Sequence, residues 1–89
     1  MNIKDSIKDI LATDIFVEIP VPDMDENDNL REVFGLDSIG FVELRVQCAE
    51  RFGLVISDDD FIPDNFASIA TVTALMERLS TAPLSGNTR

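Results

Sequence analysis

The 89-residue chain has no histidine, a single cysteine (Cys48), and only four glycines, scattered rather than clustered. Each scarcity excludes a kind of chemistry. A catalytic serine needs a base within hydrogen-bond reach and a group to orient that base, so the missing imidazole argues against a self-contained hydrolase. One thiol cannot build an internal disulfide framework, and without histidine it cannot anchor a zinc site. It fits a reducing compartment. Scattered glycines leave no Gly-rich loop to cradle a phosphate. No apolar run approaches the length of a bilayer span, and Met1-Asn2-Ile3-Lys4-Asp5 lacks the ordered zones of a signal peptide. Bases are scarce too: 7 against 17 acids, a formal charge of −10. Nucleic acid and anionic membranes both demand a basic face. The expectation is one soluble, cytoplasmic domain, monomeric because no large spare apolar face is visible.

What remains is small, acidic and helical in pattern. A chain this short buries a small core. Its charge either keeps the protein dissolved or steers basic partners toward it, and composition leaves both open. Ile3, Ile7, Ile10 and Leu11 recur at helical spacing, with Ile15 four residues on, so a first helix is predicted from about Asn2 to Phe16. Pro20 and Pro22 bar its continuation. Residues 18–36 read as a long acidic loop whose Leu30, Val33 and Phe34 are expected to pack onto the core. A second helix is predicted from Ser38 to Phe52, with Asp37 as N-cap and Gly53 as left-handed C-cap. Ile39, Val42, Val46 and Ala49 trace one apolar stripe, widened by Phe41, Leu44, Cys48 and Phe52. Gly40, Glu43, Gln47 and Glu50 share the opposite face.

Ser57-Asp58-Asp59-Asp60 resembles a capping box, and Pro63 keeps the helix it would start short. Leu54-Val55-Ile56 could be a strand, with no obvious partner. A last helix beginning near Ser68 or Thr71 carries Val72, Leu75, Met76 and Leu79 on one face. From about Thr81 the tail is small and polar and is expected to be disordered. The fold class that follows is all-α: a small four-helix bundle over residues 1–80, three helices longer and one short, with a long loop between helices one and two.

Three constellations could carry chemistry. Asp23-Met24-Asp25-Glu26-Asn27-Asp28-Asn29 has the oxygen spacing of a calcium loop, but Asp28 stands where the turn requires glycine and Phe34 where a bidentate acid is required. At most, weak divalent-cation binding to the acidic surface is left. Ser38 has no glycine two positions before it, where Leu36 stands, so it is not a nucleophile elbow. It does stand at a helix start, where free amides and the helix dipole favour a phosphate group. By itself a serine there is more often just a cap.

Gly35-Leu36-Asp37-Ser38-Ile39 resembles the attachment motif of acyl and peptidyl carrier proteins, with Ile39 in place of the usual leucine. The likeness runs on through the second helix and Phe52-Gly53-Leu54-Val55-Ile56-Ser57-Asp58, roughly residues 3 to 80. It implies that Ser38, with Asp37 in the motif, takes a 4′-phosphopantetheine arm from a phosphopantetheinyl transferase. The chain would then be no enzyme, but a carrier holding cargo as a thioester for acyl-loading and acyl-transfer or synthase enzymes with basic docking patches. The resemblance makes the second helix the recognition helix. Glu43 and Glu50 would meet the partner's bases, and Ile39, Val42 and Val46 would be apolar contacts. From pattern alone, Glu43 and Glu50 are a solvated face and Val42 and Val46 core residues. Gly40 either loosens the first turn or admits a partner closely.

Phe41-Val42-Glu43-Leu44-Arg45-Val46-Gln47-Cys48, with Ile56-Ser57-Asp58-Asp59-Asp60-Phe61 and Asp64-Asn65-Phe66-Ala67, is similar to discrete carriers of polyketide-type pathways. An aminoacyl, peptidyl or D-alanyl carrier is the alternative within the fold. An unmodified acidic interaction module is the alternative outside it.

Overall fold

The computed structural model describes residues 2–81. Its helices are α1 (Ile3–Thr13), α2 (Ser38–Phe52) and α3 (Ile69–Thr81), with a 3-10 turn at Val21–Asp23 and no strand among the described residues. The expected all-α class holds. The disordered tail expected from Thr81 lies outside the described residues, apart from Thr81 itself, which closes α3.

Asn2 starts α1 by accepting the Asp5 amide at 2.8 Å. Ile7, Ile10 and Leu11 then point into the core with no exposed surface. The helix ends at Thr13, three residues before the predicted Phe16. The Thr13 hydroxyl turns back to Asp9 O (2.8 Å), a competing bond that weakens continuation. The chain then closes with Val17 N donating to Leu11 O (2.9 Å), Phe16 taking a left-handed φ of 65°.

The long loop is tied down by its backbone. Leu30 N donates to Ala67 O and Ala70 N to Glu26 O, both at 2.9 Å, fixing it to the start of α3. Met24, Leu30 and Phe34 enter the core as plugs. Val33, expected beside them, is half exposed. An ion pair from Lys4 to Glu26 joins α1 to the same loop, and Glu26 holds the Lys4 ammonium above its ordinary pKa.

No α-helix follows the capping box. Half of the box forms: Ser57 Oγ accepts the Asp60 amide at 3.3 Å, while the Asp60 carboxylate accepts from the Ser57 hydroxyl at 3.1 Å in place of the Ser57 amide. These bonds close one turn, and a second turn follows over residues 62–66. Pro63 has no amide to carry a helix between them. The expected short helix is thus represented only by turns here and by the 3-10 turn at Val21–Asp23. Leu54-Val55-Ile56 is not a strand; it is pinned by Arg45, whose guanidinium donates to Ile56 O through Nε (3.1 Å) and Nη2. α3 starts between the two expected positions, at Ile69. There Thr71 Oγ1 accepts the Ala67 and Ser68 amides, and Ser68 Oγ accepts the Thr71 amide at 3.2 Å. Ile69, Val72, Leu75 and Met76 complete the core.

Candidate functional site

The approach to Ser38 is built from glycine, a plug and a cap. Gly35 holds φ +77°, a conformation that side chains rarely adopt. That turn sends Leu36 inward, where it is buried and its amide donates to Leu30 O (3.0 Å). Asp37 is extended, and its Oδ1 accepts the Gly40 amide at 2.8 Å, while its carbonyl accepts the Phe41 amide at 2.9 Å. The expected N-cap is in place. Gly40 has a reason the sequence did not suggest: a Cβ there would sit 3.2 Å from Leu36 Cγ, so any larger residue would have to push the buried Leu36 side chain aside by a few tenths of an ångström.

Ser38 is therefore the first residue of α2, and it is exposed. The other serines with described side chains are occupied or buried. Ser6 and Ser68 are buried, Ser57 donates to Asp60, and Ser80 donates to Glu77 O. An open hydroxyl at the positive end of a 15-residue helix is a donor set that fits a phosphodiester.

The predicted partner residues come together, but on a different face than pattern alone assigned. Ile39, Val42 and Val46 are 79%, 52% and 41% exposed. They are not core residues. Leu44 and Cys48 are the fully buried positions of α2, with Phe41, Ala49 and Phe52 packed partly against the core. Glu43 and Glu50 stand along the exposed ridge at spacings that put them beside Ile39 and Val46. Glu43 accepts from Gln47 Nε2 at 2.7 Å, and Glu50 is exposed. Burial pushes the Cys48 thiol up to about 12 from an ordinary 9.0, against a small opposing pull from Arg51. Cys48 is thus a small apolar filler.

Two surface grooves flank Ser38. One, of about 510 Å³, includes Ser38 itself with Arg31, Phe41, Val42, Phe61 and Ile62. Arg31 lies over the Phe41 ring at 5.3 Å. Arg45 stacks on Phe61 at 4.8 Å and pairs with Asp58 at 3.0 Å, and Phe61 meets Phe66 edge-on at 4.9 Å, which sets the far wall. The second groove, about 720 Å³, runs from the end of α1 to Asp37, Ile39 and Glu43. Arg31, Arg45, Phe61 and Phe16 are the site residues that sequence reasoning missed. The available signal was two bases, Arg45 and Arg51, inside the second helix of a chain this acidic, and it did not separate Arg45 from Arg51. Among the described residues no three His, Cys, Asp or Glu side chains converge on a metal position, and no helix is long and apolar enough to cross a membrane.

A helical domain that offers one open serine at a helix start, and surrounds it with grooves rather than catalytic groups, has the form of a carrier. The family model for the phosphopantetheine attachment site matches residues 5–79, and the chain belongs to that family. Its members bear 4′-phosphopantetheine covalently on a serine and are non-catalytic, serving as substrates for partner enzymes.

Two solved structures are similar. One is the complex of an engineered Bradyrhizobium japonicum glycine:[carrier protein] ligase with a carrier protein from Agrobacterium tumefaciens and ATP. Its matched chain has a TM-score of 0.76 and 25% identity, covering 85% of this chain and 97% of that one. The other is the acyl carrier protein of Enterococcus faecalis, with a TM-score of 0.70 and 17% identity over 89% of this chain and 99% of that one, a likeness of fold. No curated protein sequence is close enough to count as a match.

Proposed function

We propose that Ser38 is the attachment serine and that the chain is a discrete carrier of polyketide-type or related secondary metabolism, working as a cytoplasmic monomer with residues 1–80 as its carrier domain. The observation that carries the assignment is the Ser38 hydroxyl, exposed at the first residue of α2 beneath the Asp37 cap. In the transfer from coenzyme A, the Ser38 oxygen forms a bond to phosphorus, and adenosine 3′,5′-bisphosphate leaves. The hydroxyl proton passes to a base on the transferase, since this chain has no histidine to take it. When bound, the arm supplies a terminal thiol that holds cargo as a thioester. The α2 ridge of Ile39, Val42, Glu43, Val46 and Glu50 then meets partner enzymes, apolar side chains against apolar sockets and carboxylates against basic patches.

A second reading is supported by the likeness to the carrier crystallised with a glycine ligase: an aminoacyl cargo on the same arm. The test begins with coenzyme A and a broad-specificity phosphopantetheinyl transferase, read by intact mass. A gain of one arm that Ser38→Ala lacks supports the assignment; a folded protein that gains nothing overturns it. Offering the arm-bearing protein glycine, ATP and a glycine:[carrier protein] ligase separates the readings, because a glycyl adduct favours the aminoacyl cargo.

A further inference from the structure

Phe16 stands out against the economy of the rest of the fold. It is one of six phenylalanines, and it is 76% exposed. Its φ of 65° makes it the one non-glycine residue with a left-handed backbone among the described residues. The equivalent turn after α2 uses Gly53 at φ 66°. A residue without a side chain would relieve the steric conflict between Cβ and the following carbonyl oxygen, and the ring gains little burial in return. Neither the backbone nor the core accounts for phenylalanine here, and strain of this kind persists where a site uses it.

The ring also lies where a use is available. Phe16 and Ile39, 79% exposed, both line the 720 Å³ groove, from opposite elements. Its rim holds Asp14, Glu18, Asp37 and Glu43 and not one lysine or arginine. Asp14 is 3.8 Å from Arg51 and Asp37 is engaged as the helix cap. Glu18 is exposed, and Glu43, half-buried, accepts from Gln47 through Oε2, which leaves its second carboxylate oxygen for an incoming partner. The groove is continuous with the ridge that carries Ser38.

We infer that Phe16 is an anchor for the phosphopantetheinyl transferase: the groove between Phe16 and Ile39 receives an apolar side chain of that enzyme, while Glu18 and Glu43 pair with bases around it. This rests on the carrier reading above and adds a contact from the end of α1 to those from α2. Anchors of this type concentrate binding energy in one or two aromatic residues at the centre of an interface.

The experiment is steady-state modification by a broad-specificity transferase with coenzyme A, the carrier concentration varied, for wild type, Phe16→Gly, Phe16→Ala and Val55→Ser. Val55 is as exposed as Phe16 but lies outside the groove. Phe16→Gly is expected to raise KM for the carrier about tenfold, with kcat within about twofold of wild type. Its melting temperature should equal or exceed that of wild type. Phe16→Ala should show the same KM and melt below Phe16→Gly, and Val55→Ser should leave KM unchanged. An unchanged KM for Phe16→Gly, with wild type modified normally, overturns the inference alone. A lower melting temperature for Phe16→Gly than for wild type also overturns it, because the ring would then be structural. A wild-type protein that takes no arm overturns the carrier reading and the inference together.

Discussion

The two apolar faces of α2 have similar composition and opposite fates. Leu44 and Cys48 have no exposed surface, while Ile39, Val42 and Val46 stand between 41% and 79% open. Both sets follow helical spacing, four residues between Leu44 and Cys48 and three then four from Ile39 to Val46, and both would bury well. What separates them is what lies opposite. α1 and α3 cover the first face, and Arg51 clamps it to α1 through Asp9 at 3.1 Å. Beside the second face lie open grooves rather than another helix. An apolar stripe left open next to an exposed serine is surface available to a partner, as proposed above, whereas the same stripe turned inward is stability.

The sharpest way to break that contrast is to cut each face. Leu44→Ala should destabilise the fold by about 2–5 kcal/mol through lost burial and a residual cavity, read by denaturant unfolding. A cost below about 1 kcal/mol would show that the buried face is not packed as described. The next effect is pH dependence at Cys48. The folded state raises the thiol toward about 12, so it holds the proton more tightly than the unfolded chain near 9.0. Stability from this group is complete below pH 9.0 and is lost as pH rises from there toward about 12. Unfolding curves across that range should steepen for wild type relative to Cys48→Ala; identical slopes would contradict a buried neutral thiol.

A smaller effect belongs to the boundary between the faces. Asp37→Ala removes the bond to the Gly40 amide and should cost about 1 kcal/mol, measured by thermal melting. The smallest stability change is expected on the open face, where Val42→Ser should shift unfolding by no more than about 0.5 kcal/mol. It should nevertheless slow arm attachment or cargo loading, as should Glu43→Lys and Glu50→Lys with unaltered circular dichroism. If all three are loaded like wild type, the open face of α2 is not where partners dock.

Much of this was legible beforehand, and the reasons are local. Asp37 as N-cap and Gly53 as left-handed C-cap follow from what those side chains can and cannot do, and α2 runs from Ser38 to Phe52 as the sequence pattern indicated. The start of α3 beside Ser68 and Thr71 is equally local, because two hydroxyls there satisfy free amides. The end of α1 was harder. Nothing in Asp14-Ile15-Phe16 forbids helix, and the left-handed Phe16 is visible only once Val17 closes back on Leu11. The helix expected after Ser57 failed for a related reason: a capping box starts a turn, but propagation needs amides that Pro63 lacks.

The sequence by itself determined the class of protein, the caps of α2 and the place of Ser38 at its first residue. Those depend on short-range chemistry: dihedral freedom at glycine and proline, side chains that reach their own backbone, and a motif within five consecutive residues. Only the tertiary structure decided which stripe of α2 faces water, that a side chain at Gly40 would crowd Leu36, and that Phe16 and Ile39 share a groove across 23 positions of sequence. Those depend on what packs against what. Periodicity states that a helix has an apolar side, but the direction of that side is set by neighbours that only the folded chain brings near.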